Sequence, residues 1–239
     1  MILRAELFRY YTILKIEKYN FLFGIILTVV MFFAYQAIIK FMPHSSISIK
    51  NSVSSFVVWT TISNGLLYSA LEFDRDVKNG VAERIFMASE NIRSIFLARS
   101  LIGMIHGILF SSLLYVLLLV LVRGQYVNII DIIVTMILSL ITGFALGLIG
   151  ASISFRIQPS AIVLIPLQFA LLIAISAGSI VNYPDLKNVF LVSIPGFALM
   201  SSVDRNYYFA IANIFIYSTL GILLFSRCES SARRIGMNF

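Results

Sequence analysis

The sequence predicts an all-α membrane protein. It is read as six transmembrane helices, an N-terminal interfacial helix, a short cytoplasmic helix between the second and third spans, and an outer re-entrant hairpin between the fifth and sixth. Three observations predict this. The 239 residues are 59% hydrophobic and 12% charged, with a mean hydropathy of +0.95. A soluble domain carries about 25% charged residues, so part of the surface must meet lipid. Six apolar stretches, 21–41, 52–71, 100–122, 132–155, 161–181 and 207–226, come close to the roughly 20 residues a helix needs to cross a bilayer. The cations fall unevenly on the segments between them.

Each stretch is expected to be helical, because lipid offers no partner to backbone polar groups and the alternation of a membrane barrel is missing. The first stretch starts too late, is too long and lacks the small-residue cleavage site of a removable signal segment. Of the 18 Lys and Arg, Lys40, Lys50, Arg123, Lys187 and Arg205 fall on one side and the other 13 on the side of the N-terminus. That bias places both termini in the cytoplasm; the membrane expected is the plasma membrane. The net charge of +7 lies beside apolar runs rather than along a basic stripe with aromatics, so nucleic acid is not an expected partner and membrane lipid is. One cysteine, Cys228, excludes an intrachain disulfide. One Cys and two distant His make a metal site unexpected.

Before the first span, residues 1–18 place Leu3, Leu7, Tyr10 and Leu14 at helical spacing, with Arg4, Lys15 and Lys18 off that stripe. This predicts an amphipathic helix lying on the inner membrane surface. The most polar stretch is 72–99, broken by Gly80. After Gly80, the residues Val81, Ile85 and Phe86 share one side of a short helix, with Glu83 and Arg84 away from it. Ser89 is suited to cap the next long helix. Between spans five and six, 182–206 holds Pro184 and Pro195-Gly196 within apolar runs too short to span, which predicts the outer hairpin.

Inside the membrane, small residues recur every four positions: Gly103, Gly107 and Ser111 in span three, Gly143, Gly147 and Ala151 in span four, and Ala170, Ala174 and Gly178 in span five. Such stripes let helices approach closely. Span two is unusually polar. Trp59, Thr60, Asn64 and Tyr68, with Gln168 from span five, are candidates to line a central substrate path, the alternative being hydrogen bonding between helices. His106 lacks a carboxylate at its depth and reads as a packing residue. Pro166 is expected to kink span five. There is no H-E-x-x-H, no G-x-S-x-G and no Gly-Lys for a phosphate-binding loop, so no catalytic residue is expected and the chain is not read as an enzyme.

The ordered layout resembles the membrane subunits of type-2 ABC exporters over essentially the whole of residues 1–239, as a single permease domain. The sharpest local likeness is Glu72, then Gly80-Val81-Ala82-Glu83, then Ser89, against the family's acidic residue, Gly-Thr-Leu-Glu-like tetrad and Ser-Pro. Val-Ala stands for Thr-Leu, and Glu90 for the Pro. The resemblance implies that 72–99 contains the coupling helix, with Gly80, Val81, Glu83, Ile85 and Phe86 meeting an ATPase. It implies that ATP and Mg are bound by that separate ABC ATPase subunit and not by this chain. It also implies a second permease subunit, identical or a sister chain, with Ala170, Ala174 and Gly178 near the seam. The expected function is export of an amphipathic or hydrophobic substrate: a peptide, a drug or a lipid-linked molecule. The other reading is a secondary transporter or channel, against which stand the absence of paired intramembrane carboxylates and of a repeat between the halves.

Overall fold

A computed structural model describes residues 2–41, 49–80, 92–122, 129–154, 156–157, 159–178, 194, 199 and 207–235. Among them there are helices and no strand. In chain order these are α1 (Ile2–Ile16), α2 (Lys18–Phe41), α3 (Ile49–Lys78), α4 (Ile92–Val122), α5 (Ile129–Ser154), α6 (Ala161–Gly178) and α7 (Tyr207–Ile235). Four of them, α2, α4, α5 and α7, are long and apolar enough to cross a membrane. The described part of α6 contains a shorter apolar stretch, Ala161–Ile173, and α3 is long but carries too many hydroxyls and charges to qualify on hydropathy.

The low hydropathy of α3 follows from its position. It is the central helix, packed against α5, α4 and α6. Its Ser52, Ser55, Thr60, Thr61 and Ser63 are all buried among neighbouring helices. Polar groups at membrane depth avoid lipid, and a helix surrounded by protein has no need of a lipid-facing apolar surface. Thr61 donates to the Val57 carbonyl at 2.8 Å and contacts the Ser111 hydroxyl on α4 at 2.8 Å. The main core gathers Phe32, Phe56, Trp59, Ile62 and Leu66 with Leu114 and Leu118 of α4. Leu199 joins that core, and Ile194 packs against it. These two are the described residues of the expected outer hairpin; the remainder of 182–206 lies outside the described residues.

The small-residue stripes now have partners. Gly103 faces Tyr68, Gly107 faces Thr61 and Asn64, and Gly143 faces Thr61 and Ile62, so the stripes of α4 and α5 both serve α3. Ala151 is buried in a second cluster with Phe73, Phe96 and Phe225. The chain continues as helix through Pro166.

Two features bear on the segment 72–99. Helix α3 continues to Lys78 and α4 begins at Ile92, so Glu72, Asp74, Arg75 and Asp76 lie on the last turns of one helix and Arg99 on the second turn of the next. Gly80 ends α3 with φ 64°, in the left-handed region that a residue without a Cβ adopts freely. Its N–H donates to the Val77 carbonyl at 3.0 Å. Residues 81–91, with Val81, Glu83, Ile85 and Phe86, lie outside the described residues.

Candidate functional site

At the end of the bundle where α3 stops and α4 starts, α1 docks through a charged face. Arg9 donates to Glu72 at 2.9 Å and to Asp76 at 2.8 Å, both on α3. Arg99 of α4 donates to the other oxygen of Asp76 at 2.6 Å and lies 3.5 Å from Glu6 of α1. Arg75 donates to Glu72 at 3.0 Å and to Glu17 at 3.1 Å. The chain of contacts Arg99–Asp76–Arg9–Glu72–Arg75–Glu17 therefore joins three helices and the bend between α1 and α2, with Glu6 bridging Arg9 and Arg99. Arg99 is 2% exposed and Asp76 3%. Charges this deep persist because each is paired and hydrogen-bonded.

The electrostatics of the junction are uneven. Burial by itself would lower the Arg9 pKa, but Asp76, Glu72 and Glu6 outweigh it and raise the pKa further above its ordinary value. At Glu72 burial wins instead. It raises the carboxyl above the usual range, although Arg75, Arg9 and Arg99 all pull it down. With three guanidiniums against Glu6, Glu17, Glu72 and Asp76, the ionised junction carries an excess of one negative charge.

Beside this junction a cavity of about 310 Å³ opens between α1, the start of α2, α3 and α4. His106 forms part of its wall, within ring-to-ring distances of 5.5 Å from Phe21 and Tyr68, 6.0 Å from Tyr10 and 6.2 Å from Phe110. The Tyr10 hydroxyl lies 3.2 Å from His106 Nδ1. Burial pushes the Tyr10 phenol up to about 12, so it stays protonated and donates when Nδ1 carries no proton. His106 thus has a hydrogen-bond partner within an aromatic setting.

The predicted substrate-path residues separate into two places. Trp59, 2% exposed, donates its indole N–H to the Gln168 carbonyl oxygen at 2.9 Å and packs on Phe56 and Phe169. The sequence places both positions among the candidates for a substrate path; the structure joins them through the backbone of Gln168. Thr60 is buried and donates back to the Val57 carbonyl at 2.9 Å. Asn64 is half-buried beside Gly107. Tyr68 lines the cavity with Tyr10, Phe21 and His106. Of the seam candidates, Ala170 is exposed on α6, and α6 carries Ala174 and Gly178 on its backbone near its end. Among the described residues no group of three or more His, Cys, Asp or Glu is placed to hold a metal ion.

The charged docking face of α1 was the main feature missed. Its signal is present in the sequence. Glu6 and Arg9 on α1 and Glu17 just after it fall at helical spacing, and Glu72 and Asp76 are four apart on α3, so two charged stripes complement each other. The apolar stripe read from Leu3, Leu7, Tyr10 and Leu14 divides: Tyr10 and Leu14 line the cavity, while Leu3 and Leu7 are exposed with Phe8 and Tyr11.

Compared with family models, curated proteins and solved structures, the chain matches none of them.

Proposed function

We propose that the chain is the membrane-spanning subunit of an ATP-driven exporter of the type-2 ABC class. It crosses the plasma membrane six times with both termini in the cytoplasm, works with a second permease subunit, and is powered by separate ATPase subunits that bind ATP and Mg. Its cargo is an amphipathic or hydrophobic molecule: a peptide, a drug or a lipid-linked compound. The observation that supports this reading best is the pairing of Asp76 with both Arg9 and Arg99. Helices α3 and α4 bracket residues 79–91, and α1 is bound to both of them at their facing ends. A push delivered to that segment has a short, stiff route into the bundle, which is what a subunit with no nucleotide-binding loop of its own requires. The exposed faces of α2 and α6 agree with a partner subunit. In α6, Ile162, Ile165, Leu167, Ala170 and Ile173 are exposed.

The test is co-purification of the ATPase together with transport in vesicles. Phe86→Asp and Val81→Asp are each expected to abolish ATPase binding or uncouple hydrolysis from transport while the protein still inserts. A stable complex and wild-type transport in both variants would remove the coupling role of this segment and, with it, the best local support for the exporter reading.

A further inference from the structure

The cavity beside the ionic junction has a chemistry distinct from the buried Trp59–Gln168 contact, and its walls define a ligand. At 310 Å³ it lies at the small end of the roughly 300–1,000 Å³ range of ligand sites. One part of the wall is apolar, formed by Ile13, Leu14, Leu71 and Phe110. Another is aromatic, with Tyr10, Phe21 and Tyr68 gathered about His106. The charged part holds Glu17, Glu72 and Arg75. Arg75 is shared between the two carboxylates, and Glu72 is also taken up by Arg9.

Glu17 is the carboxylate least neutralised. Among the described residues it pairs with Arg75 alone, through contacts of 3.1 and 3.4 Å, and its side chain is 41% exposed. The junction's excess negative charge therefore has its accessible end in the cavity. A carboxylate with open coordination beside π-faces attracts a cation, since the faces of Tyr and Phe are themselves weakly negative. An anion would meet that excess negative charge, and a purely apolar molecule would strip water from Glu17 without replacing its hydrogen bonds.

We infer that the cavity between α1, α2, α3 and α4 is a binding site for an amphiphile with an ammonium head, its cation held by Glu17 against the aromatic wall and its apolar tail on Ile13, Leu14 and Leu71. The site does not depend on the exporter reading, and it is separate from the residues assigned to the substrate path apart from Tyr68. Two sources present this chemistry: the amine headgroup of a membrane phospholipid and a free amphipathic amine.

The test uses the full chain in a phospholipid-free, uncharged maltoside detergent, because a choline head is itself an ammonium amphiphile, with binding followed by thermal shift and native mass spectrometry. The probes are dodecylamine and, as a chain-matched neutral control, dodecanol. Dodecylamine is expected to bind at least about tenfold more tightly than dodecanol. Glu17→Gln is expected to erase that preference, and Asn20→Trp, which fills the rim from an exposed position, to weaken both probes. Added phosphatidylethanolamine in the same micelles separates the sources: competition with dodecylamine assigns the site to a lipid head, and undiminished binding assigns it to a free amine. Equal binding of amine and alcohol, or a preference that survives both Glu17→Gln and Asn20→Trp, would overturn the inference. Neither result bears on ATPase coupling, so its failure is distinguishable from failure of the proposed function.

Discussion

Gly65 of α3 and Gly143 of α5 meet backbone against backbone: a Cβ on Gly65 would lie 2.6 Å from the carbonyl carbon of Gly143 and 2.7 Å from its Cα. Nothing at that contact is a flexible side chain able to step aside. The two helices approach this closely because neither residue has a Cβ, the arrangement that drives helix association where lipid supplies no hydrophobic force. The opposite substitution is milder, since a Cβ on Gly143 would meet Thr61 O at 3.3 Å and Ile62 Cα at 3.4 Å. Gly65→Ala is therefore expected to destabilise the protein by about 1–3 kcal/mol, in the range of overpacked cores, and Gly143→Ala by less. Thermal unfolding in detergent orders the two. A Gly143→Ala more harmful than Gly65→Ala would show that α5 and not α3 limits the approach.

Asp74 holds the start of α6. One carboxylate oxygen accepts both the backbone N–H and the hydroxyl of Ser160 at 2.7 Å, and the Ser160 carbonyl accepts the first helical bond from Leu164 at 3.0 Å. A buried donor left without its partner costs about 1–3 kcal/mol. Asp74→Ala removes the acceptor for two donors and should fall at the upper end of that range. Ser160→Ala, which leaves the backbone N–H bonded to Asp74, should fall at the lower end. Hydrogen exchange at residues 161–164 reads the local effect; unchanged protection in Asp74→Ala would mean that α6 starts without this anchor.

These contacts show which parts of the architecture are legible in a sequence. The polarity of residues 52–64 was visible, and so were the small-residue stripes, because composition and spacing are local properties. That α3 is the central helix was not visible, because burial depends on which neighbours surround it. Gly65 and Gly150 each have a serine four positions on, Ser69 and Ser154, and Gly221 has no small residue at that spacing, so none of them completes a run of three Gly, Ala or Ser; yet a Cβ on Gly150 would come within 2.5 Å of the Leu66 carbonyl oxygen and one on Gly221 within 2.8 Å of that of Ala145. Gly80 was legible as a break because left-handed backbone strongly favours that residue. The cavity was half-legible: Tyr68 was chosen for its polarity, but Tyr10 and Phe21 reach it only because α1 folds back onto α4.

Glu72 gives the junction a pH signature. Burial raises its carboxyl pKa in the folded protein, so between the ordinary carboxylate pKa and the raised one the folded state binds more protons than the unfolded. The sign follows: this group's contribution makes the protein more stable as pH falls through the raised value, and the gain is complete below the ordinary value. Glu72→Gln keeps a hydrogen-bonding group of the same shape but cannot titrate. Stability measured from pH 8 to pH 4 should therefore rise more towards acid, or fall less, in the wild type than in Glu72→Gln. Parallel profiles would mean that Arg9 and Arg75 hold Glu72 ionised as in water.

The last prediction separates the strong pair of the junction from the weak one. Arg99 and Asp76 are 2% and 4% exposed at their side chains, whereas Arg75 and Glu17 are 38% and 41% exposed. An exposed ion pair is worth about 0–1 kcal/mol, because water screens it and both side chains lose rotamer freedom. Removing one partner of a buried pair costs about 3–5 kcal/mol, because the remaining charge stays in a low-dielectric site. Arg99→Met is thus expected to destabilise the α1 docking far more than Arg75→Met. Asp76 retains Arg9 in the first variant, which places the loss towards the lower end of that range. Arg99→Lys should recover only part of it, since an ammonium cannot reproduce the guanidinium's fork. Adding Asp76→Asn to Arg99→Met should cost less than the sum of the two single changes, because the second removes the charge the first strands. Protease accessibility of residues 2–16 in detergent reports release of α1, and thermal unfolding reports the free energies. Additive effects in the double variant, or an Arg75→Met as damaging as Arg99→Met, would show that the buried contact does not hold α1 in place.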